Sequence, residues 1–163
     1  MVLLINMSDR ILENVNIQLQ IHACALVYGE SGILIRGNSG SGKSQLMLGL
    51  IQRGEQQGIF TRMVGDDRIG LQVIDRKLIA HRIPSIEGLI EVRGLGLETM
   101  KFIKSCVVSH VIDLGDAHPP RLPDHNDLQT VIEGVTLKRL QVMHSTHVYF
   151  NAYGAIDLFL RKL

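Results

Sequence analysis

Eight consecutive residues, Gly37-Asn38-Ser39-Gly40-Ser41-Gly42-Lys43-Ser44, carry the clearest chemistry in this sequence. They satisfy G-x-x-x-x-G-K-[ST], a spacing whose glycines let successive backbone N–H groups turn inward on phosphate oxygens. The N-terminus of a following helix adds partial positive charge, Lys43 reaches β- and γ-phosphates, and the Ser44 hydroxyl can ligate Mg²⁺. A surface loop of glycine and serine would share the composition. Here an apolar strand precedes the loop and an amphipathic helix follows it, which is the context a phosphate cradle requires.

Phosphoryl transfer also needs a carboxylate at the end of a neighbouring strand, to manage the metal or the nucleophile. Asp113 closes the apolar run CVVSHVIDL (106 to 114) in that manner. Asp66 and Asp67 offer a second choice, because two adjacent carboxylates do not sit comfortably ionised without a nearby cation. A solvated turn would carry such a pair equally well, and spacing alone does not choose. His144 and His147 stand three apart in an expected strand, on opposite faces, which argues against a shared metal. His118 and His125 fall in a proline-rich loop and are expected to face water. His22 precedes the cradle in a β-rich run, where a structural and a catalytic role are equally open.

The elements that must position these groups follow from periodicity. QIHACALVY (20 to 28) and GILIRG (32 to 37) read as an antiparallel pair joined at GES, with Gly29 and Gly32 supplying the positive φ of a tight hairpin. KSQLMLGLIQRG places Leu46, Met47, Leu50 and Ile51 on one helical face and stops at Gly54. TRMVGDDRIG is a short strand delivering the Asp pair, and LQVIDRKLIAHRI a hairpin turning at DRK. EGLIEVRGLGLETMKFIKS (87 to 105) combines a glycine-punctuated loop with a helix from about Glu98. Residues 115 to 127 form an exposed loop, LQTVIEG and VTLKRLQV late strands, and NAYGAIDLFLRKL a closing helix capped by Asn151. Strands outnumber helices, so the expected class is α/β with a mixed sheet.

Composition bounds the function. The 163 residues suit one domain, spanning 1 to 163. With 17 basic and 16 acidic residues the net charge is +1, leaving no electrostatic footprint for nucleic acid. No apolar run is long enough for a bilayer span. MVLLINMSDR lacks a basic n-region and a small-residue cleavage site, so no secretory signal is expected. Cys24 and Cys106 form no C-x-x-C pair and read as reduced, buried thiols of a cytoplasmic protein.

In combination, IHACALVYGESGILIRGNSGSGKSQL, then GDD, then EVRGLG resemble the catalytic domain of HPr kinase/phosphorylase, the bacterial enzyme that phosphorylates a serine of the phosphocarrier HPr. The resemblance spans about residues 15 to 125, with a histidine 21 residues before the loop lysine and an Asp-Asp about two dozen after it. It implies a P-loop core similar to the nucleotide-binding core of phosphoenolpyruvate carboxykinase, and ATP and Mg²⁺ as cosubstrate and cofactor. His22 matches the family's active-site histidine; Lys43 and Ser44 its phosphate- and Mg²⁺-binding residues. Asp67 matches the acceptor of the seryl proton, with Asp66 beside it, which settles the carboxylate contest and leaves Asp113 an ordinary strand-end residue. Glu91 matches a second magnesium ligand within the signature Ile90 to Thr99, which includes Arg93, Gly94 and Gly96. Arg121 matches an arginine presented from a mobile loop.

The resemblance further implies a homo-oligomer, hexameric in the family, acting on an HPr-type carrier in a bacterial phosphotransferase system. With no counterpart expected for the N-terminal domain of full-length relatives, the chain resembles the short alphaproteobacterial form, which serves regulation beside a nitrogen-related system. RGEQQGIFTRMVGDD is a few residues longer than the family's link, which lengthens a surface loop. Where full-length relatives read roughly P-V-x-x-G-R-N, in support of phosphate removal, this chain has LQVMHSTHV with neither glycine nor arginine in place. The departure bears on the reverse reaction. A P-loop kinase of a small molecule would need an arginine-rich lid, whereas the long loop has Arg121 alone. The presence of Asp67, His22 and Glu91 together speaks against a non-catalytic nucleotide sensor, while the departure at LQVMHSTHV keeps that alternative open. No N-K-x-D segment reads guanine.

Overall fold

The computed structural model describes residues 17, 19–116, 118–143 and 149–161. Eleven strands and two α-helices lie among them, in the order β1 (Leu19–His22), β2 (Cys24–Tyr28), β3 (Ser31–Gly37), α1 (Lys43–Gln56), β4 (Thr61–Gly65), β5 (Arg68–Ile74), β6 (Lys77–His81), β7 (Leu89–Val92), β8 (Gly96–Thr99), β9 (Ser105–Gly115), β10 (Gln129–Ile132), β11 (Val135–Met143) and α2 (Tyr149–Arg161). The class is α/β with a mixed sheet, as expected.

The main sheet runs β1-β5-β6-β9-β3-β2-β4. β9 is its long spine. Residues 105–108 pair antiparallel with β6, and residues 110–115 pair in parallel with β11. β3 lies parallel along the other edge. The expected hairpin between β2 and β3 is present, and so is the DRK hairpin, whose Asp75 and Arg76 both take positive φ, 49° and 60°, as a two-residue turn between twisted strands demands.

Strand alternation divides the core in two. On the α1 face, Leu26, Ile33 and Ile35 meet Leu46, Met47 and Leu50, all fully buried. Each such side chain contributes about 1.5–3 kcal/mol of burial. On the opposite face Leu34, Val64, Leu71 and Val111 form a second cluster. The helical stripe expected for α1 is therefore the one that seats the loop-bearing helix.

Several expectations change. QIHACALVY is two strands interrupted at Ala23, since β1 leaves its hairpin neighbour and pairs with β5. α1 runs on to Gln56, through Gly54. That glycine is a point of close approach, because a Cβ there would stand 2.0 Å from Thr61 Oγ1. Gly32 likewise supplies space. Only Gly29 of the turn has positive φ, and a Cβ on Gly32 would stand 1.9 Å from the backbone oxygen of Val107. Because that neighbour is main chain of the paired β9, it cannot step aside. Gly32→Ala is expected to cost about 2 kcal/mol by overpacking, read as a lowered midpoint at constant m in urea.

No helix starts at Glu98. Residues 96–99 are β8, paired with β7 in a separate exposed ribbon. Gly94 and Gly96, with φ of 89° and 101°, turn the chain back so soon that GLET is held extended against LIEV. α2 begins at Tyr149, which puts Asn151 inside it rather than at its cap. His144, His147 and the end of LQVMHSTHV lie outside the described residues. Cys24 is fully buried, but Cys106 is only half-buried; both thiols are free. Burial pushes Cys106 up to about 12. No helix among the described residues is long and apolar enough to cross a membrane.

Candidate active site

The glycine loop joins the end of β3 to the start of α1. Gly40 and Gly42 take φ of 77° and 91°, left-handed values that a side chain would resist. A Cβ on Gly40 would meet nothing within 4 Å, so only its left-handed backbone, not crowding, calls for glycine there. Lys43 is 5% exposed, and its Nζ donates to the carbonyls of Gly37 and Asn38, 3.0 Å each. The first turn of α1 holds no acidic residue, which leaves the positive end of its dipole for an anion.

Asp66 and Asp67 fill the two-residue link between β4 and β5, and they do different things. Asp66 is 6% exposed. Its Oδ1 accepts hydrogen bonds from Ser44 Oγ at 2.8 Å and from Cys24 Sγ at 2.8 Å. Asp67 turns outward with φ of 66°, a left-handed conformation that Asp and Asn tolerate better than most residues. Its backbone oxygen accepts from Ala23 N at 3.2 Å, and its Oδ1 lies 2.7 Å from His22 Nε2. The interruption between β1 and β2 at Ala23 thus has a purpose. It lets β1 end at His22 on one rim of the sheet while β4 ends at the Asp pair, and the Ala23–Asp67 hydrogen bond ties the two ends together.

These groups border one cavity of about 450 Å³. His22 and Asp67 stand on one side, Ser39, Gly40, Gly42, Lys43 and Ser44 form the floor, and Glu91 and Arg93 come from the β7–β8 ribbon. Asp66 is behind Ser44, outside the lining. Gly37, Asn38 and Ser41 belong to the loop's frame; Ser41 is buried with an unpartnered hydroxyl. Gly94 and Gly96 shape the ribbon's turn without entering the cavity. Arg121 is exposed in the loop after β9 and is not brought to the site. A second cavity, about 520 Å³, opens by the β2–β3 turn and holds none of the expected residues.

Two participants were missed in the sequence. Gln45 lines the cavity from the first turn of α1; the helical position after the loop serine was its signal. Cys24 contacts Asp66, and nothing in its sequence neighbourhood signals this, because the contact spans 42 positions. Burial first, then the Asp66 charge and hydrogen bond, push the Cys24 thiol up, so it remains a protonated donor.

Asp113, expected at a strand end, lies within β9, which runs on through Leu114 to Gly115. Arg36 Nε and Nη2 grip its two oxygens at 2.7 and 2.8 Å, and Arg139 Nε adds a third bond at 2.7 Å. It is fully engaged in joining β3, β9 and β11, and is not available to a metal.

The residues fit a magnesium–nucleotide ligand. Asp66 is a desolvated carboxylate whose side-chain donors are both neutral, with no described cation in ion-pair contact, so a divalent ion next to Ser44 would compensate it. The start of α1 offers the uncompensated positive end of its dipole to phosphate, and Lys43 lines the same cavity.

The chain is similar to proteins of one family. Residues 13–112 match the family model described as HPr Serine kinase C-terminal domain. The chain is 30% identical over 152 residues to an HPr kinase/phosphorylase of Limosilactobacillus reuteri, covering 86% of this chain and 45% of that protein. It is 33% identical over 134 residues to one from Clostridium beijerinckii, covering 76% of this chain and 42% of the relative. The chain therefore spans less than half the length of these curated relatives. The solved structure of the Hpr(Ser) kinase/phosphatase from Coxiella burnetii is similar with a TM-score of 0.69 at 26% identity, covering 88% of this chain and 95% of that one.

Proposed function

The chain belongs to the HPr serine kinase C-terminal domain family, and from that premise we propose that it is an ATP-dependent protein serine kinase acting on an HPr-type phosphocarrier. The observation that carries the reading is one cavity bordered by the phosphate loop, the His22–Asp67 pair at 2.7 Å, and Glu91. A nucleotide-holding module needs only the first of these. The 65% exposed Asp67 side chain is open to a hydroxyl arriving from outside, as an acceptor protein requires.

In the proposed reaction the carrier's seryl oxygen forms a bond to the γ-phosphorus of ATP as the bond from that phosphorus to the β–γ bridging oxygen breaks. Phosphoserine and ADP leave, and Asp67 receives the seryl proton. Lys43 and the loop amides hold the β- and γ-phosphates, while His22 orients the Asp67 carboxylate through its 2.7 Å contact. Ser44 and Glu91 would hold Mg²⁺, with Asp66 supporting Ser44 from behind; when bound, the ion neutralises charge that develops on the bridging oxygen. A loose transition state asks for little early deprotonation, so positioning carries most of the work. In this reading the protein acts in the bacterial cytoplasm, as a homo-oligomer, in regulation tied to a phosphotransferase system.

The test is direct. Incubated with γ-labelled ATP, Mg²⁺ and an HPr-type carrier, the protein is expected to place label on a carrier serine. Label that stays on ATP despite nucleotide binding favours the sensor reading; label moved to a small molecule favours the other kinase reading. Either outcome overturns the proposal.

A further inference from the structure

Cys24 is an expected core residue in an unexpected place. It opens β2, where alternation sends Cys24, Leu26 and Tyr28 to the α1 face and Ala23 and Ala25 to the other. An aliphatic side chain would fill this position as well for packing alone. The thiol instead lies 2.8 Å from Asp66 Oδ1 and 4.0 Å from Ser44 Oγ. Three residues from the first strand of the hairpin, the first turn of α1 and the β4–β5 link thus meet around one carboxylate oxygen.

Both side-chain donors to Asp66 converge on that oxygen. They are not equivalent in use. The Ser44 hydroxyl must turn its lone pairs to a metal when one binds, and in doing so can alter its bond to Asp66. The Cys24 hydrogen bond does not face the cavity, because Cys24 is fully buried and is not among the lining residues. It is the contact that can persist in both states. A carboxylate held from behind keeps its rotamer, and outer partners of this kind tune metal affinity through the groups they orient.

We infer that Cys24 is a positioning residue for magnesium, holding Asp66 in the rotamer that steadies Ser44 at the metal site. The inference rests on the magnesium reading of the site given above. It concerns binding of the metal–nucleotide complex, so it can be measured without phosphoryl transfer.

The experiment measures dissociation constants of a fluorescent ADP analogue, without metal and with saturating Mg²⁺, for the wild type and for Cys24→Val, Cys24→Ala and Cys24→Ser, with thermal melting of each. The ratio of the two constants isolates the metal's contribution. Val fills the volume without donating, and Ser restores a donor. The ratio is expected to fall roughly three- to tenfold in Val and Ala and to stay near the wild-type value in Ser, while the metal-free constant moves by less than about twofold in all three. In turnover assays the same pair should raise the Mg²⁺ concentration for half-maximal rate and leave KM for the carrier unchanged. An unchanged ratio in both Val and Ala overturns the inference, as does a Ser variant as impaired as Val. If Val melts too low to assay, Ala carries the comparison. A wild type whose ADP affinity ignores Mg²⁺ overturns the magnesium reading itself, a result distinct from the first two.

Discussion

Asp67→Asn is expected to cut carrier phosphorylation roughly 10²- to 10⁴-fold, the usual worth of a positioned base, while leaving ATP affinity within about twofold. The substitution is suited to the site. Asn accepts the left-handed backbone of Asp67, φ 66°, so the β4–β5 link and the Ala23–Asp67 hydrogen bond should survive. The amide can still meet His22 Nε2, 2.7 Å away in the native pair, but it cannot take a proton. The loss should therefore fall on kcat, and on kcat/KM for the carrier to the same degree, which marks an interaction made in the transition state. Steady-state kinetics with varied carrier, beside equilibrium ATP binding, provide the check. Full activity in the variant would remove Asp67 from the proton's path, and loss of nucleotide binding would mean that the residue shapes the loop instead.

What the sequence discloses about this site divides along a physical line. The phosphate loop is legible because its chemistry is local: positive φ at Gly40 and Gly42, and the lysine and serine that follow, are all specified within eight positions. The helix stripe of Leu46, Met47 and Leu50 is legible for the same reason. Contacts between distant segments are not. Whether a glycine marks a stop or a close approach depends on what lies across from it, so Gly54 and Gly32 misled in the absence of Thr61 and Val107. Leu97 and Glu98 are helix-forming residues, yet the glycine turn before them offered pairing with β7, and tertiary context prevailed over propensity. Ala23, between His22 and Cys24, carries no sequence signal of a strand break; the break follows from the sheet's curl, which sends β1 to β5 and β2 to β3 and β4.

The contest between Asp113 and the Asp66–Asp67 pair shows the same line and yields the second large effect. By position Asp113 is well placed: it lies near the C-terminal end of β9, parallel to β3 and in register with Arg36, one residue before the loop begins. Its environment decides otherwise. Burial pushes its carboxyl upward, but the hydrogen bonds and charges of Arg36 and Arg139 outweigh that and hold it below its ordinary 3.8. The carboxylate is 18% exposed and the guanidinium groups about 30%, so solvent screens them only in part. Asp113→Ala leaves two half-buried cations facing each other across three strands. It is expected to cost about 3 kcal/mol, a fall in Tm of roughly 6–12 °C for a chain of this size. Asn, which keeps an acceptor, should lose less. Because the folded value is depressed, this stability is present above 3.8 and is lost as pH falls through the lowered value. The gap in unfolding free energy between wild type and Asp113→Ala should accordingly be full at neutral pH and close in strong acid. The Mg²⁺-dependent tightening of ADP binding, measured well below the variant's Tm, should match the wild type. A normal Tm with lost metal coupling would exchange the roles of the two carboxylate sites. The predicted pattern, lost stability with metal coupling intact, identifies Asp113 as the brace behind the loop and leaves the metal side to Asp66.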